Sequence, residues 1–145
     1  MVDIAQALVS KLAGTTSVTA IIGSPTDQTG MRLYPSYDRQ TDHVYPLAVY
    51  KFDITPDEAF DGPQGTYTAV LDIAAIGETY EDAAALGKAL YAALEFSMGQ
   101  WGTVTVQGCF LQDNGIRDDV LYEPTTEEIL CHVKGFTFDV KYEDE

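Results

Sequence analysis

Two apolar rhythms meet near the middle of this chain, and together they restrict it to a fold that mixes sheet and helix. Across Thr66–Ile76 every second residue is apolar: Tyr67, Ala69, Leu71, Ile73 and Ala75 share one side, while Thr68 and Asp72 point away. A period of two marks a strand with one buried face. From Thr79 onward the period lengthens to that of a helix, with Ala83, Leu86, Leu90, Ala93 and Leu94 along one stripe of the segment Tyr80–Ser97. Thr79 is placed to cap this helix, and Glu81 and Asp82 in its first turn suit the positive end of the helix dipole. Its alanines permit close approach to a sheet, and Gly99 is a natural stop.

The other elements follow from the same signals. Asp3 caps a first helix carrying Ile4, Leu8 and Leu12, which Gly14 closes; a short second helix over Ser17–Ile22 stops at Gly23. Residues 24–46 read as irregular, punctuated by Pro25, Gly30, Pro35 and Pro46. Leu47–Ile54 is a strand with Tyr50, Phe52 and Ile54 on one face and Lys51 and Asp53 on the other. Thr55–Gly65 then reads as a long polar connection, so the first two strands form a hairpin with an acidic tip. Val104–Gln112 and Ile129–Tyr142 are two further strands joined by a long acidic loop. In the last strand the apolar positions are odd before Gly135 (Ile129, Cys131, Val133) and even after it (Phe136, Phe138, Val140, Tyr142), which predicts a β-bulge at Gly135. The order helix, strand, strand, helix, strand, strand implies one α+β domain over residues 1–145. The expected architecture is a mainly antiparallel sheet of about four main strands with the helices packed on one face. A chain of 145 residues is large enough for one sound core and too short for two ordinary domains.

Charge narrows the function classes. Twenty-three acids against eight bases give a formal charge of −15. Such a balance disfavours a protein that grips phosphate backbones or docks on an anionic membrane. The charge is also uneven, at −1 over residues 1–54 and −14 over the rest. Between Thr55 and Asp82 there are seven acids and no base, among them Asp57, Glu58 and Asp61. Asp113–Glu128 adds six acids, including Asp113, Asp118 and Asp119, against Arg117 alone. Clusters of this kind read either as solvated loops or as a negative surface directed at something it must not hold. No apolar run approaches the ~18 residues of a membrane-spanning helix, and Met1-Val2-Asp3-Ile4 lacks a signal peptide's basic start, so a soluble cytoplasmic protein is expected.

Nothing in the sequence has the form of an active site. His43 and His132 have no metal-ligand spacing to each other or to Cys109 and Cys131. Cys131 and His132 are neighbours on a strand and so point to opposite faces. The two cysteines make neither a CxxC pair nor a disulfide framework, and reduced strand residues are expected. No GxSxG setting surrounds a serine. Asp113-Asn114-Gly115 with Asp118 and Asp119 misses the calcium-loop spacing and reads as a turn with solvated acids. The expectation is a non-enzymatic protein with no cofactor and no metal.

A succession of short segments resembles a known family. It runs from the first helix (Ala7-Leu8-Val9-Ser10-Lys11-Leu12) through Val18-Thr19-Ala20-Ile21-Ile22-Gly23 and Arg32-Leu33-Tyr34-Pro35 to the strand opening Tyr45-Pro46-Leu47-Ala48-Val49. It continues through Leu71-Asp72-Ile73-Ala74-Ala75 to the alanine-rich helix Ala83–Leu94. In order and spacing this resembles the tail-completion, or tail-terminator, proteins of long-tailed bacteriophages and related prophage particles.

The resemblance implies a structural virion protein, assembled in the host cytoplasm, that forms a ring of six subunits at the neck end of the tail. Such a ring ends growth of the tail tube and joins it to the head connector, so a tail tube protein and a head-completion protein are the implied partners. DNA would pass through without specific binding, and a negative channel suits that role because it repels phosphate. Asp57, Glu58, Asp61 and the acids Asp113, Asp118 and Asp119 are the channel or ring-contact candidates. Tyr34 and Pro35 read first as an extended entry to the sheet, and Arg32 and Tyr34 are also candidates for the subunit interface. The rival reading from charge alone is a DNA mimic that occupies a nucleic-acid-binding partner.

Overall fold

The computed structural model describes residues 3–25, 30–35, 45–59, 62–122 and 129–143. Among these residues, three helices lie on one face of a six-stranded sheet. They are α1 (Ile4–Ala13), α2 (Thr16–Ile22) and α3 (Tyr80–Leu94); the strands are β1 (Leu33–Pro35), β2 (Leu47–Ala59), β3 (Gly62–Gly77), β4 (Gly99–Trp101), β5 (Val104–Tyr122) and β6 (Ile129–Glu143). The order across the sheet is β1-β2-β3-β6-β5-β4. All neighbours are antiparallel except β1, which runs parallel to β2.

The starts of α1 and α3 are those the sequence marks, but α3 ends at Leu94 with Glu95 as its C-cap, short of the expected Ser97, and Gly99 begins β4 instead of stopping the helix. The Asp3 side chain accepts from the Gln6 amide at 3.1 Å, and Thr79 Oγ1 accepts from the Asp82 amide at 3.1 Å. Each satisfies one of the amides a helix start leaves open. Ile4, Leu8 and Leu12 from α1, Val18 and Ile22 from α2, and Leu86, Leu90 and Leu94 from α3 join one core with Ala69, Leu71, Ile73 and Ala75 of β3 and Phe136, Phe138, Val140 and Tyr142 of β6. The alternating face of Thr66–Ile76 is therefore the face that meets the helices.

The sheet departs from the expected four antiparallel strands in four ways. First, two three-residue edge strands, β1 and β4, flank it, each too short to show a period. Second, the polar connection after Ile54 is largely strand: β2 runs to Ala59 and β3 starts at Gly62. Third, the segment expected to be an acidic loop after Gln112 continues β5 as far as Tyr122. Fourth, no bulge lies at Gly135; the one extra residue in β6 falls at Leu130, between the pairs Leu121↔Cys131 and Tyr122↔Ile129. The β3–β6 register is unbroken from Thr66↔Glu143 to Gly77↔His132, passing Gly135 without a shift. The larger irregularity lies in the facing strand, where Leu111 pairs with Phe138 and Ile116 with Phe136, leaving residues 112–115 opposite Thr137. Asn114 there takes a left-handed φ of 58°.

The apolar phase change in β6 has a different cause. Its even positions face the helices. Cys131, on the other face, is also buried and shares a hydrogen bond with the Tyr45 hydroxyl. An odd apolar residue covered on the second face, ahead of a run of even ones on the core face, shifts the apolar parity without a bulge at Gly135.

Candidate functional site

Among the described residues the helices cover one face of the sheet, and the other face and the two edges offer the surface for contacts. By register, the open face carries Val49, Lys51 and Asp53 of β2, Asp72 and Ala74 of β3, Arg117 and Asp119 of β5, and Gly135, Thr137, Asp139, Lys141 and Glu143 of β6. Among these described residues five acids stand against three bases, so the face is negative but broken up by cations. Arg117 Nη1 lies 3.9 Å from Asp72 Oδ1, and Thr137 Oγ1 donates to that same carboxylate at 2.7 Å. Lys51 Nζ is 4.0 Å from Asp53, and Gln112 Nε2 donates to Asp139 at 2.7 Å. Val49, Tyr50, Lys51, Asp72, Ala74 and Arg117 line a shallow groove of about 390 Å³ on this face. The two ion pairs are exposed, each worth about 0–1 kcal/mol.

The sequence candidates separate when placed on this frame. Arg32 is bound inside the subunit: its Nε donates to the Pro46 carbonyl at 2.9 Å and its Nη2 to the Ile21 carbonyl at 2.7 Å. It thus ties the end of α2 to the entry of β2. Tyr34 lies in β1, paired with Val49 at the edge of the sheet. Asp57 and Glu58 fall in β2, whose side chains there lie outside the described residues, as does Asp61 altogether. Asp113 is exposed within the β5 irregularity. Asp118 and Asp119, adjacent in the strand, part to opposite faces. Asp118 turns to the helix side, where Lys134 Nζ reaches it at 3.0 Å after passing over Gly87 of α3, while Asp119 stays on the open face.

No group of three or more His, Cys, Asp or Glu side chains among the described residues is placed to hold a metal ion. Both cysteines are free and buried. Cys109 sits in the core, and burial, followed by the nearby carboxylates of Glu95 and Asp139, pushes its thiol up to about 12. His132 packs edge-on against Tyr80. None of the described helices is long and apolar enough to cross a membrane.

The edges are the features that sequence reasoning left out. Among the described residues, β4 covers β5 only at Val104–Val106, and β1 covers β2 only at Ala48–Tyr50. The exit of α3 covers two more groups of β5: the Phe96 amide donates to the Cys109 carbonyl at 2.8 Å, and the Glu95 carboxylate accepts from the Leu111 amide at 3.2 Å. Beyond these points neither long strand has a further strand beside its outer edge among the described residues. Phe96, Met98 and Phe110 stand exposed beside the β5 edge and Ile54 beside the β2 edge. A helix followed by exposed apolar residues ahead of a glycine was the available signal, in Phe96-Ser97-Met98-Gly99.

No family model and no curated protein matches the chain. A solved structure does: a chain from the "Virion of native gene transfer agent (GTA) particle" superposes with a TM-score of 0.68 at 13% identity, over 95% of this chain and 93% of that one. At that identity the likeness is one of fold, and it extends over essentially the whole domain.

Proposed function

We propose that this protein is a structural component of a phage-like virion, a subunit of a ring of six that caps the tail tube, ends its growth and joins it to the head connector. The observation that carries the reading is the end-to-end fold likeness to a chain of a gene transfer agent virion. The segment order that resembles tail-terminator proteins, and a sheet with two unlike open edges, support it. Open strand edges are templates for pairing with another chain. When the two edges differ, each copy offers one edge to the next, and such head-to-tail contacts close into rings where the rotation between copies closes.

In such a ring the open sheet face, with its surplus of acids, is the surface suited to border passing DNA. Asp53, Asp72, Asp119, Asp139 and Glu143 repel phosphate, while Lys51, Arg117 and Lys141 are too few and too close to carboxylates to hold it. The interleaving of cations also weakens the DNA-mimic alternative, which needs an unbroken row of negative charge. A mimic would bind a basic partner stoichiometrically, with affinity falling steeply in salt.

The test is addition of the purified protein to growing tail tubes of its own particle. Elongation should halt, with a ring visible at one tube end by electron microscopy. Tubes that elongate unimpeded and stay bare would contradict the assignment.

A further inference from the structure

Following the register across the sheet, Ile54 pairs with Ala69, Ala69 with Val140, and Val140 with Cys109. The Cys109 carbonyl in turn accepts from the Phe96 amide. Ile54 and Phe96 therefore occupy opposite ends of one cross-strand row, and both are exposed, at 48% and 70%. Met98 is 70% exposed beside Phe96, and Phe110 packs edge-on against the Phe96 ring at a centroid distance of 5.9 Å.

The loop that presents Phe96 and Met98 is held from three sides. The Glu95 carboxylate takes the Leu111 amide, the Phe96 amide gives to Cys109, and Trp101 Nε1 donates to Ser97 Oγ at 3.0 Å from a fully buried ring. Held this way, Phe96 adopts a φ of 58°. A bulky residue in the left-handed region is disfavoured by about 1 kcal/mol or more, and the ring packs edge-on against Phe110 while staying 70% exposed. A fixed, strained loop that keeps two large apolar side chains in water is accounted for by a surface that covers them elsewhere.

We propose that this surface is the β2 edge of a second copy, so that Phe96 and Met98 of each subunit seat against Ile54 of the next. The inference rests on the ring reading and names the contact that closes the ring. A two-fold pairing of β5 edges would bury Phe96 and Met98 but leave Ile54 in water, whereas the head-to-tail contact covers both. Because the two partners end the same row, the neighbour follows by rotation without a step along the strands, which closes a ring instead of building a spiral.

The experiment is a charge-exchange cycle read by native mass spectrometry and sedimentation across a concentration series. Both positions are exposed, so Met98→Asp and Ile54→Lys should each leave a folded subunit, checked by circular dichroism. Each alone should raise the concentration for half-assembly by tenfold or more, and the double variant should recover assembly. A wild-type ring whose two single variants assemble unchanged overturns this contact while leaving the ring standing; a wild-type assembly that stops at two subunits overturns both. Wild-type protein that stays monomeric even with tube ends present overturns the ring reading, and the contact falls with it.

Discussion

Arg117 of β5 lies directly over Gly135 of β6, its register partner: a β-carbon on Gly135 would come within 2.7 Å of the guanidinium carbon. The glycine leaves room for the cation to reach inward across the sheet toward Thr137 and Asp72, at 3.4 Å and 3.9 Å. A residue that reads as a strand defect is thus the seat of a cross-strand network linking β3, β6 and β5.

The glycines differ in what a methyl group would strike, and their alanine variants should rank accordingly. At Gly135 the nearest atoms belong to the flexible Arg117 side chain. At Gly77 a β-carbon meets the Ala83 amide nitrogen at 2.7 Å, and at Gly115 it meets the Gln112 and Thr137 carbonyls at 2.7 Å and 2.8 Å. Backbone cannot swing aside, so Gly77→Ala and Gly115→Ala should each cost about 1–3 kcal/mol, with Gly135→Ala costing less. Urea midpoints of the three variants would measure the order, and a Gly135→Ala cost equal to the other two would contradict it.

Arg32 should act on stability. Its two hydrogen bonds to Ile21 and Pro46 join segments distant in sequence. Charge-assisted bonds of this kind contribute about 1.5–3 kcal/mol each when a partner is removed. Arg32→Ala should therefore lower the thermal midpoint of the isolated subunit, and Arg32→Lys should restore little, because a single ammonium cannot reproduce the fork. A variant with unchanged melting but impaired assembly would instead place Arg32 in the subunit contact.

Cys109 should be nearly inert in the folded protein. Its thiol is held protonated by burial and the flanking carboxylates, with its titration pushed up to about 12. An unfolded thiol titrates near pH 8.5. The folded form prefers the neutral thiol, so this contribution to stability is complete below the unfolded value and is lost as pH rises from there toward 12. Alkylation at pH 8 should label Cys109 far more slowly in native protein than in urea. Equal rates would show that the thiol is not enclosed.

Much of the fold was legible because its signals are local. Asp3 and Thr79 cap the helices they appear to cap, and the alternation from Tyr67 to Ala75 marks the covered face. The misread segments share one physical cause, that strand identity was set by neighbours rather than by period. In β5, Asp113-Asn114-Gly115 has the composition of a turn and does bend the chain, but β6 recaptures the strand at Ile116 and holds it through Arg117, Asp118 and Asp119. Those residues show no alternation because both faces there are open to water or met by charged partners such as Lys134. Around Cys131 the reverse holds: an apolar residue on the second face is buried and meets the Tyr45 hydroxyl.

The candidate site was less legible than the fold. Acid counts pointed to 113–128 as one cluster, yet Asp118 and Asp119 divide between the two faces, a separation fixed only by register. The edge contact depends on Ile54 and Phe96 sharing a row across four strands, a relation no local window contains.

The most direct test of the ring assignment is native mass across protein concentration, with electron microscopy of any large species. The account predicts a closed ring of six 15.8 kDa subunits with a central opening, formed by the protein alone or on tube ends. A monomer at every concentration, with tube ends present or absent, would contradict it.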